Sequence, residues 1–535
     1  MLKEVSPESS TADAPIKPDF SWIRLSDAIG AKQAASLAEF IRKDFNVIEA
    51  HDPQLLDQLH KLWDRVEGGK QGRMAVLHFG DSHIQGGMTA QIARHVLQEK
   101  AGNAGRGMVF PYAIAKTYSQ NDYKSSFQGE WVTANSIQVY PKLPLGVSGF
   151  VAHTKSPQAG FTLDFARQFD PGAKRIQLLY RATAPGYTLR MKTGRWVWET
   201  KLAAGGGMSS ATEVLTIEVP QLADVIQFEL IKPEQSTDDD WFELHGLNLE
   251  NQGSTGVLYH NLGVGGAAFA SLLAQQHFET QSALLKPDLV ILDWGTNDLI
   301  YKNQVPAALE KTVVDTIERV RAAHPQALIL LTSVQDTFFR KKEVTATHEF
   351  SHWIRKIARE NHCLFYDWYR IAGGRDAMRT WYAYGLAQPD HVHLSSGGYA
   401  IKGELLAEAI LNTIDFRKQN PKSNKLWLDN LPDESNKTVA AWLKTTHPFE
   451  SRPDLIKLPK SGKSNAKAKS GDKAPAKPAD KPNAKTGSKA APKAAHKSAG
   501  NQAGHKTESK TSAKSNKSDP KDSSKSKGNP SNKGQ

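Results

Sequence analysis

Short apolar runs recur along the chain, and each is too brief to form a helix. They lie at Met74–Phe79, Val257–Leu262, Leu289–Trp294, Ala327–Thr332 and Leu364–Trp368. Amphipathic helical spacing surrounds them, at residues 88–100, 267–285, 305–323, 345–361 and about 395–414. Apolar runs that alternate with amphipathic helices are typical of a parallel sheet that is buried on both faces. The pattern therefore predicts an α/β unit in which a parallel sheet lies between two layers of helices.

The residues before the first apolar run have a different pattern. Residues 1–20 are polar and contain Pro and Ser, so we expect a flexible N-terminus there. From 30 to 68, apolar residues recur at three- and four-residue spacing, which predicts helices that end at Gly68 and Gly69. We assign residues 21–116 to these helices and to the first part of the α/β unit.

The long interval between the first and second apolar runs has a strand pattern. Over residues 117–255, short stretches alternate apolar and polar positions and are separated by Pro and Gly. A compact domain rarely contains a structureless loop of this length. We therefore predict a separate all-β domain at 117–255, inserted into the α/β unit. The α/β unit would resume at 256–418, and a C-terminal extension would follow at 419–456.

The composition changes at the C-terminal end of the chain. Residues 457–535 contain 20 Lys and five acidic residues, but no Arg and no aromatic residue. Such a segment buries too little apolar surface to offset its ordering entropy, so we predict a disordered tail. The tail has a net charge of +15 against +12 for the whole chain, which leaves about −3 for the remainder. Nucleic-acid binding is not indicated, because this tail has no aromatic residues to stack on bases.

Cysteine content and hydropathy bear on the compartment. Cys363 is the single cysteine, which suits either a reducing compartment or an exported protein without disulfides. No window reaches the roughly 18 apolar residues of a transmembrane helix. The first residues also lack the apolar core of a signal peptide. Taken alone, these features predict a cytosolic protein without a membrane span.

Three short polar motifs follow predicted strands of the α/β unit. They are GDSH at 80–83, GTND at 295–298 and DHVH at 390–393. Ligands of an open parallel sheet bind at the carboxyl ends of its strands, so all three motifs would face one crevice. Ser82 is the candidate nucleophile, because it leaves its strand at a glycine turn that exposes its hydroxyl. His393 is the candidate base, and Asp390 is close enough to fix the tautomer of the imidazole.

The remaining candidates are hydrogen-bond donors for an oxyanion. Asn297 offers a side-chain amide, and Gly266 offers a backbone N–H, with Gly265 as the alternative donor. Together with the amide of Ser82 they would form a three-donor oxyanion hole. We interpret His83 and His391 as supporting or surface groups rather than catalytic ones.

These motifs, taken in order with the glycine-rich turn at 263–266, resemble the four blocks of the SGNH (GDSL-like) hydrolase superfamily. Its members include esterases, lipases, thioesterases and carbohydrate acetylesterases. Longer stretches are similar to bacterial peptidoglycan O-acetylesterases, namely LHFGDSHIQGG at 77–87, GNAGRGMVFPYA at 102–113 and FELHGLNLENQGSTGVLYHNLGVGGA at 242–267. The resemblance covers about residues 50–415. It implies a flavodoxin-like three-layer α/β fold with an inserted, jelly-roll-like β domain of the carbohydrate-binding-module type.

The resemblance also implies an activity and a set of site residues. Ser82 would be the nucleophile, Asp390 and His393 would complete the triad, and Gly266 and Asn297 would line the oxyanion hole. The enzyme would be an exported, periplasmic esterase that removes O-acetyl groups from muramic acid residues of peptidoglycan, and its mechanism would need no metal and no organic cofactor. A signal peptide is not recognisable, which departs from this expectation. In a periplasm, the Lys-rich tail would contact anionic wall polymer through screened charge attraction.

Other functions fit parts of the pattern. A polysaccharide O-acetyltransferase would use the same acyl-enzyme, and a non-catalytic carbohydrate-binding protein would only dock the polymer. A metallophosphoesterase could use Asp81, His83 and the histidines at 391 and 393, but its GDxxD and GNH motifs are absent. An α/β-hydrolase would carry a GxSxG elbow, which the globular region lacks. We expect the aromatic residues of the interval in a β core, with a sugar-stacking platform as the alternative: Trp131, Tyr140, Tyr180, Trp196, Trp198 and Trp241.

Overall fold

A computed structural model describes residues 40–70, 72–165, 173–203, 212–251, 253, 255–423 and 426–428. The predicted flexible N-terminus at 1–20 lies outside the described residues. So do residues 429–456 of the predicted C-terminal extension and the Lys-rich tail at 457–535.

The α-helices of the described part lie mostly before and after the interval at 117–255. They are α1 (Pro53–Asp64), α2 (Ser82–Gln85), α3 (Met88–Ala101), α4 (Ala270–Leu273), α5 (Phe278–Leu285), α6 (Thr296–Leu299), α7 (Ala307–Ala323), α8 (Ala346–Glu360), α9 (Trp368–Ile371), α10 (Ala377–Ala383) and α11 (Ser396–Gln419). Short 3-10 helices occur at Lys43–Phe45 and Glu67–Gly69. Among the described residues, we find no helix with both the length and the apolar composition to cross a bilayer.

The strands fall into a group within the interval and a group on either side of it. They are β1 (Arg73–Gly80), β2 (Asn103–Val109), β3 (Lys124–Gln128), β4 (Val132–Asn135), β5 (Phe150–Thr154), β6 (Gln158–Asp164), β7 (Ala173–Ala182), β8 (Thr188–Thr193), β9 (Trp196–Lys201), β10 (Glu213–Glu218), β11 (Val225–Ile231), β12 (Phe242–Asn251), β13 (Gly256–Gly263), β14 (Leu289–Asp293), β15 (Leu328–Thr332), β16 (Phe338–Phe339), β17 (Lys342–Glu343) and β18 (Leu364–Tyr366).

One mixed sheet organises the fold. Its parallel part has the order β2-β13-β1-β14-β15-β18, and antiparallel strands continue it beyond β2 in the order β12-β7-β10. In the parallel part, Gly80 at the end of β1 pairs with Gly263 of β13 and with Asp293 of β14. The segments that follow these three strands therefore leave the sheet at one edge.

Side chains of the parallel strands alternate between two apolar layers, as the period of a strand requires. Val76 and Ile291 pack in one layer with buried residues of α1, α3 and α11. Leu77 and Leu292 pack in the other layer with buried residues of α4 to α8. Helices thus cover both faces of the sheet. The predicted three-layer α/β fold of the SGNH type, with additional β structure, is confirmed.

Strand β2 joins the two parts of the large sheet, because it runs parallel to β13 and antiparallel to β12. Its glycines allow this close approach: Gly105 and Gly107 have φ of +136° and +83°, and a Cβ on Gly105 would lie 2.6 Å from the Cα of Glu250. A strand so rich in glycine has no apolar run. The apolar pattern of the sequence therefore did not indicate it.

Strands β3 to β12 all come from the interval predicted to be a β domain. Five of them form a second, antiparallel sheet in the order β3-β6-β11-β8-β9, and the others join the large sheet. The expected core role is confirmed for most of the aromatic residues of the interval. Tyr180 and Trp241 are buried and three tryptophans pack against the core, whereas Tyr140 is 89% exposed.

Two predicted helices differ from the structure. Among residues 41–68, apart from the short 3-10 helices, regular α-helix is confined to α1, which Asp52 caps and Pro53 begins. Glu49 instead forms a β-bridge with Phe365. The predicted helix at 267–285 is divided into α4 and α5. Between them, the backbone N–H of His277 donates to the carbonyl of Leu145 at 2.9 Å, so this amide bonds to the interval rather than to a helix.

Candidate active site

Ser82 lies at the end of the central strand β1, as the first residue of α2. Asp81 caps this helix, because its carboxylate accepts a hydrogen bond from the N–H of His83 at 2.9 Å. A Cβ on Gly80 would overlap the side chain of Ile84, so the tight turn requires glycine at that position. The turn leaves the Ser82 side chain half-buried at the edge of the sheet.

Ser82, His393 and Asp390 form one chain of hydrogen bonds. Nδ1 of His393 lies 2.7 Å from Oδ2 of Asp390, and Nε2 lies 2.8 Å from Oγ of Ser82. A carboxylate only accepts hydrogen bonds, so Nδ1 carries the proton of the neutral ring. Nε2 is then free to accept the proton of the Ser82 hydroxyl. The structure brings together the three residues that the sequence motifs single out.

The segment that carries Asp390 and His393 does not follow a strand, and this part of the sequence prediction is wrong. It lies between α10 and α11, and the β-bridge between Ala387 and Leu394 closes it into a loop. The other oxygen of Asp390 accepts the backbone N–H groups of Val392 and His393, both at 3.0 Å. The carboxylate therefore fixes the shape of the loop as well as the orientation of the ring.

The protonation state of Asp390 follows from these contacts. Partial burial acts to raise the pKa of Asp390, but the hydrogen bonds from the side chain and backbone of His393 and from Val392 outweigh it. The net effect is a pKa below the ordinary value for an aspartate. Asp390 is thus a carboxylate at neutral pH, as an acceptor for the ring N–H must be.

The glycine-rich turn after β13 distinguishes the two candidate backbone donors. The N–H of Gly265 donates to Oε1 of Gln85, so it is already engaged. Gly266 is exposed at φ +87°, and its N–H makes no hydrogen bond to any residue that the structure describes. This geometry favours Gly266 over Gly265 as a donor to a ligand.

Asn297, the third expected donor, lies on α6 directly after β14. Its Nδ2 donates to the carbonyl of Ala267 at 2.9 Å and to Oδ2 of Asp81 at 3.3 Å. Both amide hydrogens are therefore engaged in this state. A role in the oxyanion hole requires one of them, most readily the one in the longer bond, to turn toward the ligand.

His83 supports the imidazole of His393, a role for which the sequence offered no residue pattern. The two rings stack with centroids 5.2 Å apart. Trp368 donates its indole N–H to Oε1 of Gln335 at 3.0 Å, so the Gln335 amide must donate to Nε2 of His83 at 3.2 Å. Nδ1 of His83 then carries the proton and donates to the hydroxyl of Tyr399 at 3.0 Å.

This network keeps His83 neutral. Burial and then the neighbouring charge of His393 hold the pKa of His83 well below its ordinary value. A neutral ring beneath His393 does not oppose the positive charge that the base acquires when it takes a proton. His391 lies apart from this pair, because its ring packs on Tyr382 at a centroid distance of 4.6 Å.

We expect the Asp81→Asn variant to lose part of the pH dependence of stability. Burial, offset in part by the N–H of His83, raises the pKa of Asp81 from 3.8 to about 7. A raised folded-state pKa contributes stability that is fully present below the unfolded value and declines as the pH rises to the folded value. Between these limits, the free energy of unfolding should therefore fall at least about 1 kcal/mol more in the wild type than in the variant.

Urea unfolding at several pH values across this interval measures the difference. The exposed Asp238→Asn variant is the control, and it should follow the wild-type profile. Equal pH slopes for wild type and Asp81→Asn would show that Asp81 is not the group that titrates.

The three-layer fold and the hydrogen-bonded chain of Ser82, His393 and Asp390 at one edge of its sheet are the arrangement expected of an acyl hydrolase. The sequence profile of the GDSL-like Lipase/Acylhydrolase family matches residues 235–401. The resemblance of this part of the chain to SGNH hydrolases is thereby confirmed. The match includes the Asn297 and His393 segments but not Ser82, which the interval separates from them.

One solved structure supports the same fold. It is described as a peptidoglycan O-acetylesterase in action and covers 69% of this chain and 99% of its own, with a TM-score of 0.54 and 23% sequence identity. A family two carbohydrate esterase from Cellvibrio japonicus covers 55% and 99% at 13% identity, but its TM-score is 0.23. An acetylxylan esterase from Geobacillus stearothermophilus covers 30% and 74% at 22% identity, also with a TM-score of 0.23. A search of curated protein sequences finds no match.

Proposed function

We propose that the protein is a serine esterase that removes O-acetyl groups from a cell-wall polysaccharide, with O-acetylated peptidoglycan as its substrate. The observation that carries the proposal is the hydrogen-bonded chain from Asp390 through His393 to Ser82. A serine hydroxyl is a weak nucleophile, and a positioned imidazole base makes it a competent one.

In the first half of the reaction, Nε2 of His393 takes the proton of the Ser82 hydroxyl as Oγ attacks the acetyl carbonyl. Asp390 holds the ring and stabilises the imidazolium that results. The imidazolium then gives its proton to the departing sugar hydroxyl, which leaves an acetyl group on Ser82. In the second half, His393 takes a proton from water as the water attacks the acetyl-enzyme. The imidazolium then returns this proton to Oγ of Ser82 as the bond to the acetyl carbon breaks and acetate leaves.

The oxyanion of each tetrahedral intermediate needs donors that are in place beforehand. The backbone N–H groups of Ser82 and Gly266 have no acceptor within the described part of the chain, so they are available. The Asn297 amide would give up its 3.3 Å bond to Asp81 and supply the third donor. These features support the oxyanion hole expected from the sequence.

Two side chains from the interval at 117–255 lie beside the glycine-rich turn that carries Gly265 and Gly266, and they favour a short acyl group. Cγ2 of Ile137 lies 3.5 Å from the position of a Cβ on Gly266, and the hydroxyl of Tyr118 lies 2.9 Å from that of a Cβ on Gly265. Ile137 and Tyr118 thus limit the space beside the Gly266 amide, which favours a short acyl group. The similarity in fold to a peptidoglycan O-acetylesterase supports acetyl as the group and the cell wall as the substrate, and with it a periplasmic location.

The proposal is tested by incubating purified wild type and Ser82→Ala with O-acetylated peptidoglycan and with acetylated xylan. We expect wild type to release acetate from peptidoglycan faster than from xylan, and the variant to release none above background. Equal rates on both polymers would remove the substrate assignment. Acetyl groups that pass from the acetyl-enzyme to an acceptor sugar instead of being released as acetate would identify transfer rather than hydrolysis.

We expect the Gly266→Ala variant to lower kcat/KM by about 100-fold, the typical cost of one lost oxyanion donor. An alanine is strained at φ +87°, so the amide would move from its position, although the methyl group itself would meet Ile137 only at van der Waals distance. Gly253→Ala is the matched control, because Gly253 has φ +64° and open space around it, away from the site. If both variants lose activity equally, backbone strain rather than a lost donor is the cause.

A further inference from the structure

Three potential ligand side chains converge on the loop that follows β15. Asp336 lies just beyond β15, Glu343 ends the short hairpin of β16 and β17, and His348 lies in the first turn of α8. One ligand atom from each of them lies within 4.8 Å of the other two. Asp336 is fully buried, and the other two side chains are about one-fifth exposed. This cluster, the loop cluster, lies outside the proposed catalytic residues.

The facing atoms of the loop cluster lie at ion-pair distances but form no hydrogen bond with one another that has acceptable geometry. Nε2 of His348 lies 3.2 Å from Oε1 of Glu343 and 3.4 Å from Oδ1 of Asp336. Even so, neither Nε2 of His348 nor the buried Oδ1 of Asp336 has a hydrogen-bond partner with acceptable geometry in the described structure. Buried polar atoms are almost always paired, so two orphaned atoms that face one another need a reason.

A metal ion between these atoms accounts for both observations. Bonds of about 2.0 to 2.1 Å to nitrogen and oxygen in a tetrahedral site place neighbouring ligand atoms about 3.3 to 3.4 Å apart. The two measured separations are close to this spacing. Ligand atoms also point at a common centre rather than at each other, which explains the absence of hydrogen-bond geometry between them.

The remaining contacts of the cluster hold the ligands in place. Oδ2 of Asp336 accepts the backbone N–H of Met378 at 3.3 Å, which leaves Oδ1 free. Arg375 donates to both oxygens of Glu343, through Nε at 2.9 Å and Nη2 at 3.2 Å. The Arg375 side chain is 65% exposed, so it can withdraw into solvent. Its charge opposes that of a bound cation, which makes it a competitor for Glu343.

We propose that Asp336, Glu343 and His348 bind a divalent transition-metal ion of the zinc class, with water in the fourth position. One imidazole and two carboxylates suit Zn²⁺ better than the all-oxygen ligation that Ca²⁺ and Mg²⁺ prefer. The ion ties the hairpin of β16 and β17 to α8. Because Gln335 precedes Asp336 and contacts His83 and Val392, the site stabilises the loop that supports the proposed catalytic histidine. The inference does not rest on the esterase activity.

The test is metal binding by the full chain after treatment with a chelator. Isothermal titration with Zn²⁺, Mn²⁺ or Ca²⁺ alone should detect one strong site for Zn²⁺, a weaker one for Mn²⁺ and none for Ca²⁺. Zn²⁺ should also raise the Tm by several degrees, as a ligand of the native state does. His348→Gln and Asp336→Asn should weaken Zn²⁺ binding by more than about 100-fold. His95→Gln, which alters a surface His–Glu pair on α3, should bind Zn²⁺ like the wild type.

A further variant separates a metal site from a plain ion-pair network. Arg375→Ala removes the competing cation, so it should raise the Zn²⁺ affinity by about tenfold or more. If the cluster is only an ion-pair network, this variant will lower the Tm and bind no Zn²⁺. Absence of stoichiometric binding in wild type and Arg375→Ala would overturn the proposal, as would unchanged binding in a folded His348→Gln. These outcomes do not depend on ester hydrolysis.

Discussion

The Ser82→Ala variant should lower kcat/KM for acetyl-ester hydrolysis by about 10⁴-fold or more, because Ser82 is the proposed nucleophile that forms the acyl-enzyme. Oγ of Ser82 is 2.8 Å from the base, and its removal ends proton transfer along the chain. The hydroxyl makes no other hydrogen bond to the described residues, so the free energy of unfolding should change by less than about 0.5 kcal/mol. Activity on a soluble acetyl ester and urea unfolding measure the two effects.

The control for this variant is Ser126→Ala, which removes an exposed hydroxyl on β3 and should leave both quantities unchanged. The unfolding data matter because they separate a lost nucleophile from a lost fold. A folded Ser82→Ala protein that hydrolyses the ester at a rate near that of the wild type would exclude Ser82 as the nucleophile.

That the segments of Ser82, Gly266 and Asn297 leave the sheet at one edge could be predicted from the sequence. Each follows an apolar run, and such runs form buried parallel strands whose carboxyl ends meet at one edge. In the structure, Gly80 pairs with Gly263 and Asp293, so the three strands end at the same level of the sheet, as expected. A local pattern was sufficient here because parallel pairing of the strands brings segments that are far apart in sequence to the same edge of the sheet.

Asp390 and His393 are a different case. Their spacing in the sequence indicated a catalytic pair, but the element that carries them was predicted incorrectly. No strand carries them. Their loop is held between α10 and α11 and by the bridge from Ala387 to Leu394, which depend on how the helices pack. Helix packing leaves no period in the residues of a loop, so the predicted strand before this motif was wrong.

The sequence suggested a supporting or surface role for His83, but the contacts through which His83 supports His393 could not be predicted. His83 meets Gln335 and Tyr399, which are 252 and 316 positions away along the chain. Ring stacking and tautomer choice arise only once these three side chains are in contact.

Strand β2, which joins the two parts of the large sheet, was not predicted for another reason. Its glycines are there for close backbone approach, whereas strand prediction relies on apolar and β-branched residues.

The Lys402→Met variant should lose about 3 to 5 kcal/mol of unfolding free energy. Lys402 is buried on α11, the helix after the His393 loop, and its Nζ lies 2.8 Å from Oδ2 of Asp293 at the end of β14. Burial alone would raise the pKa of Asp293, but Lys402 and then His78 hold that pKa far below its ordinary value. Without Lys402, a buried carboxylate loses its main partner. Urea unfolding of the variant measures the cost.

The size of this loss should depend on pH, because His78 also faces Asp293 at 3.3 Å. Burial is the main cause that lowers the pKa of His78, and the charge of Lys402 is a smaller one. Removing Lys402 therefore raises that pKa, and a protonated His78 can partly neutralise Asp293 at acid pH. We expect a smaller loss at about pH 6 than at about pH 8.

Two further variants test whether the loss comes from the unpaired charge. Lys311→Met breaks an ion pair of similar length to Asp315, but Lys311 is 80% exposed, so the cost should stay below about 1 kcal/mol. Asp293→Asn added to Lys402→Met removes the orphaned charge and should recover part of the stability, because neighbouring sites are not additive. If the double variant is instead less stable than Lys402→Met by the full cost of Asp293→Asn alone, packing of the lysine stem rather than its charge holds α11 to the sheet.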